Sequence, residues 1–407
     1  MGSEPFTLKW GILATGGIAK TFTKDLLVAP STRQVNDIAH VVAAAASSTS
    51  ASRAQDFLTE VGAPGSAKAY GSYQELVADA DVDIIYVATP HSHHFQHTYL
   101  ALSAGKHVLV EKPITVNARQ CRILRDLARQ KQRFMMEAVW TRFFPLALEV
   151  QDIVRRGELG EIKRVYADFS FWNDVELEFG PKHRMVNCEL AGGALLDLGI
   201  YSLTWVFMIL YHLAPKQASQ DAAGADEGKG QVEAAARGRQ PRVSSAVTKY
   251  APTGADETST VLLQFPSGAH AIAGTGIAVA TQPNPDIPAP DAIRIQGTLG
   301  DLTVDYAPKP LAYTLTPASS TRRGTLASFP HKTVDTYQTV PGGGHGMFWE
   351  ADECARCVRD GKLESEICPL EETHEVMRVM DEVRRQGGIV YPEGIESTEY
   401  GIPGFAL

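Results

Sequence analysis

Over the first third of the chain, short apolar runs alternate with stretches of helical period. Residues 8–13 (LKWGIL), 39–47 (AHVVAAAAS), 82–90 (VDIIYVATP), 107–113 (HVLVEKP) and 134–139 (FMMEAV) read as strands. Their apolar residues are consecutive rather than alternate, which is the pattern of strands covered on both faces. Helical patterns fill residues 50–62, 94–106 and 117–132. The first two end near Gly62 and Gly105, and Asn117 is placed to cap the third. Buried strands alternating with helices predict a parallel sheet, whose ligands bind beyond the carboxyl ends of the strands.

From about residue 140 the pattern changes. In 165–172 (VYADFSFW), Val165, Ala167, Phe169 and Phe171 fall on alternate positions, as in a half-buried strand of an antiparallel sheet. Residues 258–265, 269–274, 292–306 and 311–316 read as further strands joined by glycine turns. A helix over 372–388, with Val376, Met380 and Val383 on its buried stripe, closes an α+β second domain. Residues 198–213 form the longest apolar stretch, short of the roughly 20 residues a membrane span needs. Ser202, Thr204 and His212 interrupt it, so a buried core helix is expected. Residues 214–242 have no aromatic residue and one β-branched residue, Val232; a mobile insertion is expected there.

Composition narrows this picture. A chain of 407 residues exceeds one ordinary core, which agrees with two domains. Lys and Arg number 38 against 47 Asp and Glu, a net charge of −9 that disfavours a nucleic-acid partner. The five cysteines are odd in number and scattered, so no disulfide framework is expected. Cys354 and Cys357 form a CxxC, which raises zinc or redox chemistry. No second pair completes a metal site, and the surrounding amphipathic pattern predicts two thiols packed on one helix. With neither a leader pattern nor a membrane span in view, a cytoplasmic protein that does not enter membranes is expected.

Candidate chemistry gathers at the strand ends. The first strand-to-helix turn places Ala14-Thr15-Gly16-Gly17-Ile18-Ala19 on the dinucleotide fingerprint G-x-G-x-x-G/A, with Ala14 replacing the first glycine. Thr15, Gly16, Gly17, Ile18 and Ala19 are the expected pyrophosphate cradle. The second strand runs into Ser47 and Ser48, with Arg53 close by and no acid before Asp56. A carboxylate there would repel a 2′-phosphate, so its absence favours NADP over NAD; the other reading leaves Arg53 a solvated helix residue. The third strand ends in VATPHSHHFQH. Its histidines share no carboxylate or cysteine, which argues against metal and sets Pro90, His91 and His94 beside the nicotinamide ribose. The HVLVEKP strand ends on Glu111 and Lys112. Glu111 either meets the ribose or partners a charge. Asp197 and Tyr201, four residues apart in an apolar helix, share a face. A carboxylate there is costly unless paired, so Asp197 either caps backbone or belongs to a site.

The segments WGILATGGIA, VATPHSHH, HVLVEKP, MMEAVWTRFFP and GGALLDLGIYS, in this order, resemble the glucose–fructose oxidoreductase/inositol dehydrogenase/MocA family. Within it, EAVWTRFFP with AGGALLDLGIY is most similar to the dimeric dihydrodiol and NADP-dependent D-xylose dehydrogenases. The resemblance runs to GIVYPE near the end and leaves only 214–242 unmatched. It implies an α/β protein: a Rossmann NADP-binding domain over 1–139, then an α+β domain over 140–407 with a large, mostly antiparallel open sheet. It implies hydride transfer from C1 of an aldopyranose such as D-xylose to NADP, giving the lactone, or the same chemistry on a trans-dihydrodiol. Non-catalytic relatives lose the Lys or the Tyr/His base; this chain keeps Lys112 and Tyr201. Trp140 and Arg142 match a W-x-R signature facing the cofactor. In the implied mechanism Tyr201 is the base. Lys112 lowers its pKa from about 10 and clamps the reacting oxygen, while Asp197 orients substrate or keeps Lys112 charged. Trp172 and Arg184 are substrate candidates, Arg184 either binding hydroxyls or pairing Glu189. The open sheet implies a homodimer or higher homo-oligomer; the other reading packs that face on the protein's own helices.

Overall fold

The computed structural model describes residues 4–402 except 215–237, 285, 288, 320–328 and 338. The first sheet is wholly parallel. Its strands are β1 (Phe6–Leu13), β2 (Ile38–Ala46), β3 (Lys68–Tyr70), β4 (Ile84–Val87), β5 (His107–Glu111) and β6 (Met135–Ala138), in spatial order β3-β2-β1-β4-β5-β6. The order reverses between β1 and β4, which opens a crevice at their carboxyl ends. Val108, Leu109 and Val110 have no solvent exposure, as their consecutive apolar pattern requires.

Helices α1 (Gly17–Leu26), α2 (Ala51–Val61), α3 (Tyr73–Ala78), α4 (His94–Ser103) and α5 (Ala118–Lys131) connect these strands. Ser50 caps α2 by accepting from Arg53 N–H, and Asn117 caps α5 by accepting from Gln120 N–H. Each such cap contributes about 1 kcal/mol. Strand β3 and helix α3 were not evident from the hydrophobic pattern. A three-residue strand has no period to detect, although the Ser72–Glu75 capping box marks the start of α3.

The second sheet holds β7 (Ile162–Ser170), β8 (Arg242–Lys249), β9 (Asp256–Gln264), β10 (His270–Gly276), β11 (Ile293–Gly297), β12 (Gly300–Val304), β13 (Tyr313–Pro317) and β14 (Lys332–Val334). Its order is β14-β13-β12-β11-β7-β10-β9-β8, antiparallel except for the β7–β10 pair. Helix α6 (Pro145–Arg155) leads into it, and α7 (Ile200–Phe207) packs on β7 and β10. The helical run through α7, Cys188–His212, is long and apolar enough to cross a membrane, yet its most apolar window is wholly buried in the protein. It is a core helix. Phe169 turns inward, edge-on to Tyr201 at 5.3 Å and Tyr306 at 5.5 Å.

Two boundaries differ from expectation. Most of the expected insertion 214–242 lies outside the described residues, but its C-terminal end belongs to the fold. Arg239 lies over the Tyr211 ring and pairs with Glu371, Gln240 reaches Glu375, and Arg242 opens β8. Nor does the chain divide cleanly at residue 139. Helix α8 (Phe348–Arg359) returns to the first sheet, where Asp352 pairs with Arg33 and His40, and Arg356 and Arg359 hold Asp37. Cys354 and Cys357 sit buried on α8 with thiol pKa values raised by burial, so the CxxC packs a helix. Helices α9 (Leu370–Gly387) and α10 (Glu393–Glu396) complete the fold, α9 packing on α5, α7 and β8.

Candidate active site

A cleft of about 530 Å³ lies at the carboxyl ends of β1, β4 and β5. One wall is the start of α1. Gly16 is its N-cap, with no side chain blocking the free N–H groups. A Cβ at Gly16 or Gly17 would find no atom within 4 Å, so both glycines face open space. Unblocked N–H donors at the head of a ten-residue helix fit a pyrophosphate. Gly16, Gly17 and Ile18 line the cleft, Thr15 sits half-buried beside the turn, and Ala19 is buried beneath it. Ala14 adopts φ 90°, the left-handed conformation that the replaced glycine would take without strain.

At the end of β2, Ser47 is buried and its hydroxyl meets that of Thr49 at 2.9 Å. Ser48 and Arg53 are exposed; Ser48 bonds to the Tyr73 hydroxyl, and the Arg53 charge acts on the same hydroxyl. No carboxylate stands in this position, a donor set suited to a 2′-phosphate.

The opposite wall carries the buried charges. Lys112 follows the last residue of β5, and the Lys112–Pro113 peptide is cis. Its Nζ donates to Asp197 Oδ1 at 2.8 Å and to the Asp197 carbonyl at 2.7 Å, and lies 5.0 Å from the Tyr201 ring centre. Asp197 also accepts from Arg184 at 3.0 Å, and His91 Nε2 stands 3.7 Å away. Burial opposes charge on Asp197, yet Lys112 and Arg184 hold it far below the usual carboxylate range. Burial likewise opposes the Lys112 ammonium, and Asp197, together with Tyr201 and Glu111, outweighs it and raises the lysine pKa. Asp197 is therefore the anion that keeps Lys112 charged. His91 is pulled down to about 3 by burial and is neutral.

Tyr201 stands one turn past Asp197, after a wider π-type turn over Leu195–Gly199. Its hydroxyl accepts from Trp140 Nε1 at 2.8 Å. Burial pushes its pKa up to about 12, and Lys112 and the Trp140 N–H recover only part of the shift. This corrects the expectation that Lys112 brings Tyr201 below its ordinary value: the phenol is too deeply buried for one ammonium at this distance to win. Glu111 lines the cleft, accepting from the Tyr86 hydroxyl and from Lys112 N–H at 3.2 Å.

Four further expectations change. Arg142 is not in the cleft; it is buried against Glu372 and donates to the Ile367 carbonyl at 2.8 Å. Trp140 and Arg142 share a 3₁₀ turn, Trp140–Phe143, on which residues two apart project about 240° apart, so only Trp140 faces the cleft. His94 touches the cleft, but both ring nitrogens face backbone carbonyls, Pro113 O (2.7 Å) and Thr89 O (2.8 Å), and the neutral ring donates to one of them; neither nitrogen is turned to a ribose. Trp172 is 63% exposed and outside the cleft lining, because β7 ends at Ser170 and its alternation lapses there. Arg184 does line the cleft, but pairs with Asp197, not Glu189.

Thr89, Leu190, His345 and Met347 also line the cleft and were not foreseen. The last two arrive on a glycine-rich loop whose His345 and Met347 N–H groups bond to the Asp25 carboxylate. At Gly344, φ 80°, a Cβ would lie 2.2 Å from that carboxylate. The run GGGHGM was the available signal, but nothing nearby in sequence showed where it folds. Among the described residues, no group of three or more His, Cys, Asp or Glu is placed to hold a metal.

A helix N-terminus opening on a cleft at the switch point of a parallel sheet, faced by a buried Lys–Asp–Tyr group, defines a dinucleotide-dependent oxidoreductase. The chain belongs to the GFO/IDH/MocA oxidoreductase family. The model of its NAD-binding Rossmann fold matches residues 8–139, and that of its C-terminal domain matches residues 147–303. Among curated relatives, the D-xylose 1-dehydrogenase (NADP(+)) of Hypocrea jecorina is 47% identical over 404 residues, covering 98% of this chain and 96% of that protein. The trans-1,2-dihydrobenzene-1,2-diol dehydrogenase of Bos taurus is 32% identical over 386 residues, covering 95% and 98%. Among solved structures, an aldose-aldose oxidoreductase from Caulobacter crescentus has the same fold at a TM-score of 0.70 and 22% identity, covering 94% of this chain and 98% of its own.

Proposed function

We propose that this chain is an NADP-dependent aldose 1-dehydrogenase, oxidising C1 of an aldopyranose such as D-xylose to the lactone. The observation that carries the reading is Lys112, charged by its pair with Asp197 and set beside Tyr201 in a cleft fit for a dinucleotide. Similarity to a D-xylose 1-dehydrogenase across nearly the whole chain supports the sugar. When bound, the cofactor supplies the hydride acceptor. The N–H groups at Gly16 and Gly17 would hold its pyrophosphate, and Ser48 and Arg53 its 2′-phosphate.

As hydride leaves C1, that carbon becomes electron-poor; the sugar hydroxyl gives up its proton, and the O–H electron pair left on oxygen, alkoxide-like at first, forms the new C=O bond. Tyr201 takes that proton in its phenolate form, a minor one because burial outweighs the Lys112 charge and the Trp140 N–H that favour it. The Lys112 ammonium donates to the oxygen as charge develops, and Asp197 keeps that ammonium charged. Arg184, half-exposed at the rim, is placed to meet the remaining hydroxyls.

The test is NADPH formation, followed by its near-ultraviolet absorbance, with D-xylose, other aldoses and trans-dihydrodiols. Tyr201→Phe should abolish turnover while NADPH still binds; full activity in that variant would reject the role of Tyr201. Diol oxidation is the second reading, favoured by the aromatic wall of Trp140 and Tyr201 and by the 32% identical relatives. A higher kcat/KM for dihydrodiols than for any aldose would select it. To the same reading belong a homodimer through the outer face of the second sheet, and a cytoplasmic location, supported by five free cysteines.

A further inference from the structure

The turn that carries Lys112 is held by side chains, not by strand pairing. Beyond β5, Lys112 N–H donates to Glu111 Oε2 at 3.2 Å. The Pro113 carbonyl meets His94 Nδ1 at 2.7 Å. Ile114 N–H donates to Glu137 Oε1 at 2.9 Å. Three consecutive residues are thus each fixed by a buried ionisable side chain from a different element: β5 itself, α4 and β6.

Glu137 is the most costly of these supports. It lies within Met135–Ala138, the buried strand β6, opposite Val110 of β5, and is 3% exposed. It does not line the cleft. Its second oxygen accepts from the Thr373 hydroxyl at 3.2 Å, at the start of α9. Arg142 after β6, Glu111 on β5, Cys121 on α5 and Cys368 before α9 also face it. Arg142 gives its bonds to Glu372 and Ile367, so among the described residues no cation is paired directly with Glu137. Burial pushes its pKa up to about 7. An acid without a counter-ion in an apolar strand is expensive, and the orphan N–H of Ile114 is what it satisfies.

We propose that Glu137 is a positioning residue for Lys112: bridging Ile114 N–H and the Thr373 hydroxyl, it pins the turn that aims the ammonium at Asp197 and Tyr201. The inference rests on the reading of Lys112 as catalytic. The bridge holds in either protonation state. When neutral, the carbonyl oxygen accepts from Ile114 and the O–H donates to Thr373 Oγ1. Glutamine reproduces that second arrangement, with its amide oxygen accepting and its amide NH₂ donating. Alanine reproduces neither.

The experiment compares full-length Glu137→Ala and Glu137→Gln with the wild type, reading kcat, KM for the sugar, NADPH affinity and hydrogen exchange over residues 108–116. Alanine should lower kcat by about tenfold to a hundredfold, the cost of a roughly 1 Å misplacement. NADPH affinity should hold, and exchange in the turn should speed up. Glutamine should restore both kcat and protection. Wild-type kcat in the alanine variant, or equal losses in both variants, would overturn the proposal. If the alanine variant does not fold, Thr373→Val withdraws the bridge from its far side; faster exchange in the turn with lowered kcat supports the proposal, and unchanged exchange overturns it. Exchange needs no turnover, so a wild type inactive on every aldose and diol would fail the functional reading while the clamp was still tested.

Discussion

Replacing Asp197 with asparagine removes one charge from the centre of the site and almost no volume. The native carboxylate lies 2.8 Å from Lys112 Nζ and 3.0 Å from Arg184. At the first distance, with an effective dielectric of about 20, the lysine–carboxylate attraction is about 6 kcal/mol. Much of that offsets the desolvation of two buried groups, and losing one member of such a pair costs about 3–5 kcal/mol. Arg184, more than half exposed, regains water and adds little. The Asp197 carbonyl remains at 2.7 Å, so Lys112 keeps its place but loses the anion that raises its pKa.

The sign of the pH effect follows from each shift. Asp197 has a depressed pKa in the folded protein, so its stabilisation is present above its unfolded value of 3.8 and is lost only as pH falls towards the folded one. Lys112 has a raised pKa, so its contribution is complete below its unfolded value of 10.5 and is lost as pH rises through the folded one. In Asp197→Asn the pair's contribution is missing at neutral pH, and burial, opposed only by Tyr201 and Glu111, pulls Lys112 downward. The variant should be destabilised by about 3–5 kcal/mol in denaturant titrations. Its kcat should collapse, and the alkaline loss of activity should move to lower pH. Wild-type stability with an unmoved alkaline limb would refute the assignment of Asp197 as the anion that charges Lys112.

The other outcomes are simpler to read. Arg142→Met should destabilise by up to about 3–5 kcal/mol, because the buried Glu372 keeps only His212 as a side-chain partner, while NADPH affinity stays within error; a weakened affinity at unchanged melting temperature would return Arg142 to the cofactor. Arg53→Glu should weaken NADP relative to NAD by roughly tenfold to a hundredfold, the worth of a charge-assisted bond to phosphate, and an unchanged ratio of the two kcat/KM values would leave Arg53 a solvated helix residue. Ala14→Gly relieves a left-handed alanine worth about 1–2 kcal/mol at an entropic cost of about 0.5–1 kcal/mol. Equilibrium unfolding should therefore show a gain of up to about 1.5 kcal/mol; a loss of stability would show that the φ of 90° is not strained.

Parts of the site were legible because they are local. The placement of Gly16, Pro90 and Glu111 at one crevice follows from strand ends in a parallel sheet, and all three line the cleft. Asp197 and Tyr201 share a helical face, and their spacing alone said so. Glu137 was hidden because in sequence it is one acid inside an apolar strand; its meaning depends on Ile114, 23 residues away across a strand pair. His345 and Met347 were hidden because their loop packs against Asp25, from the other end of the chain. Arg142 was misplaced because a motif match carries no direction, and direction on a 3₁₀ turn differs from that on a helix.

Period and punctuation thus sufficed for the longer elements of the parallel sheet and for the crevice, since these depend on which backbone groups pair with near neighbours and which faces must leave water. Tertiary structure decided the charge states. Asp197 is ionised because Lys112, just past the end of β5, and Arg184 converge on it, and Tyr201 is held near 12 because the fold buries it deeper than one lysine can offset. Desolvation and Coulomb energy depend on distance and burial in space, and neither quantity is written in the order of residues along the chain.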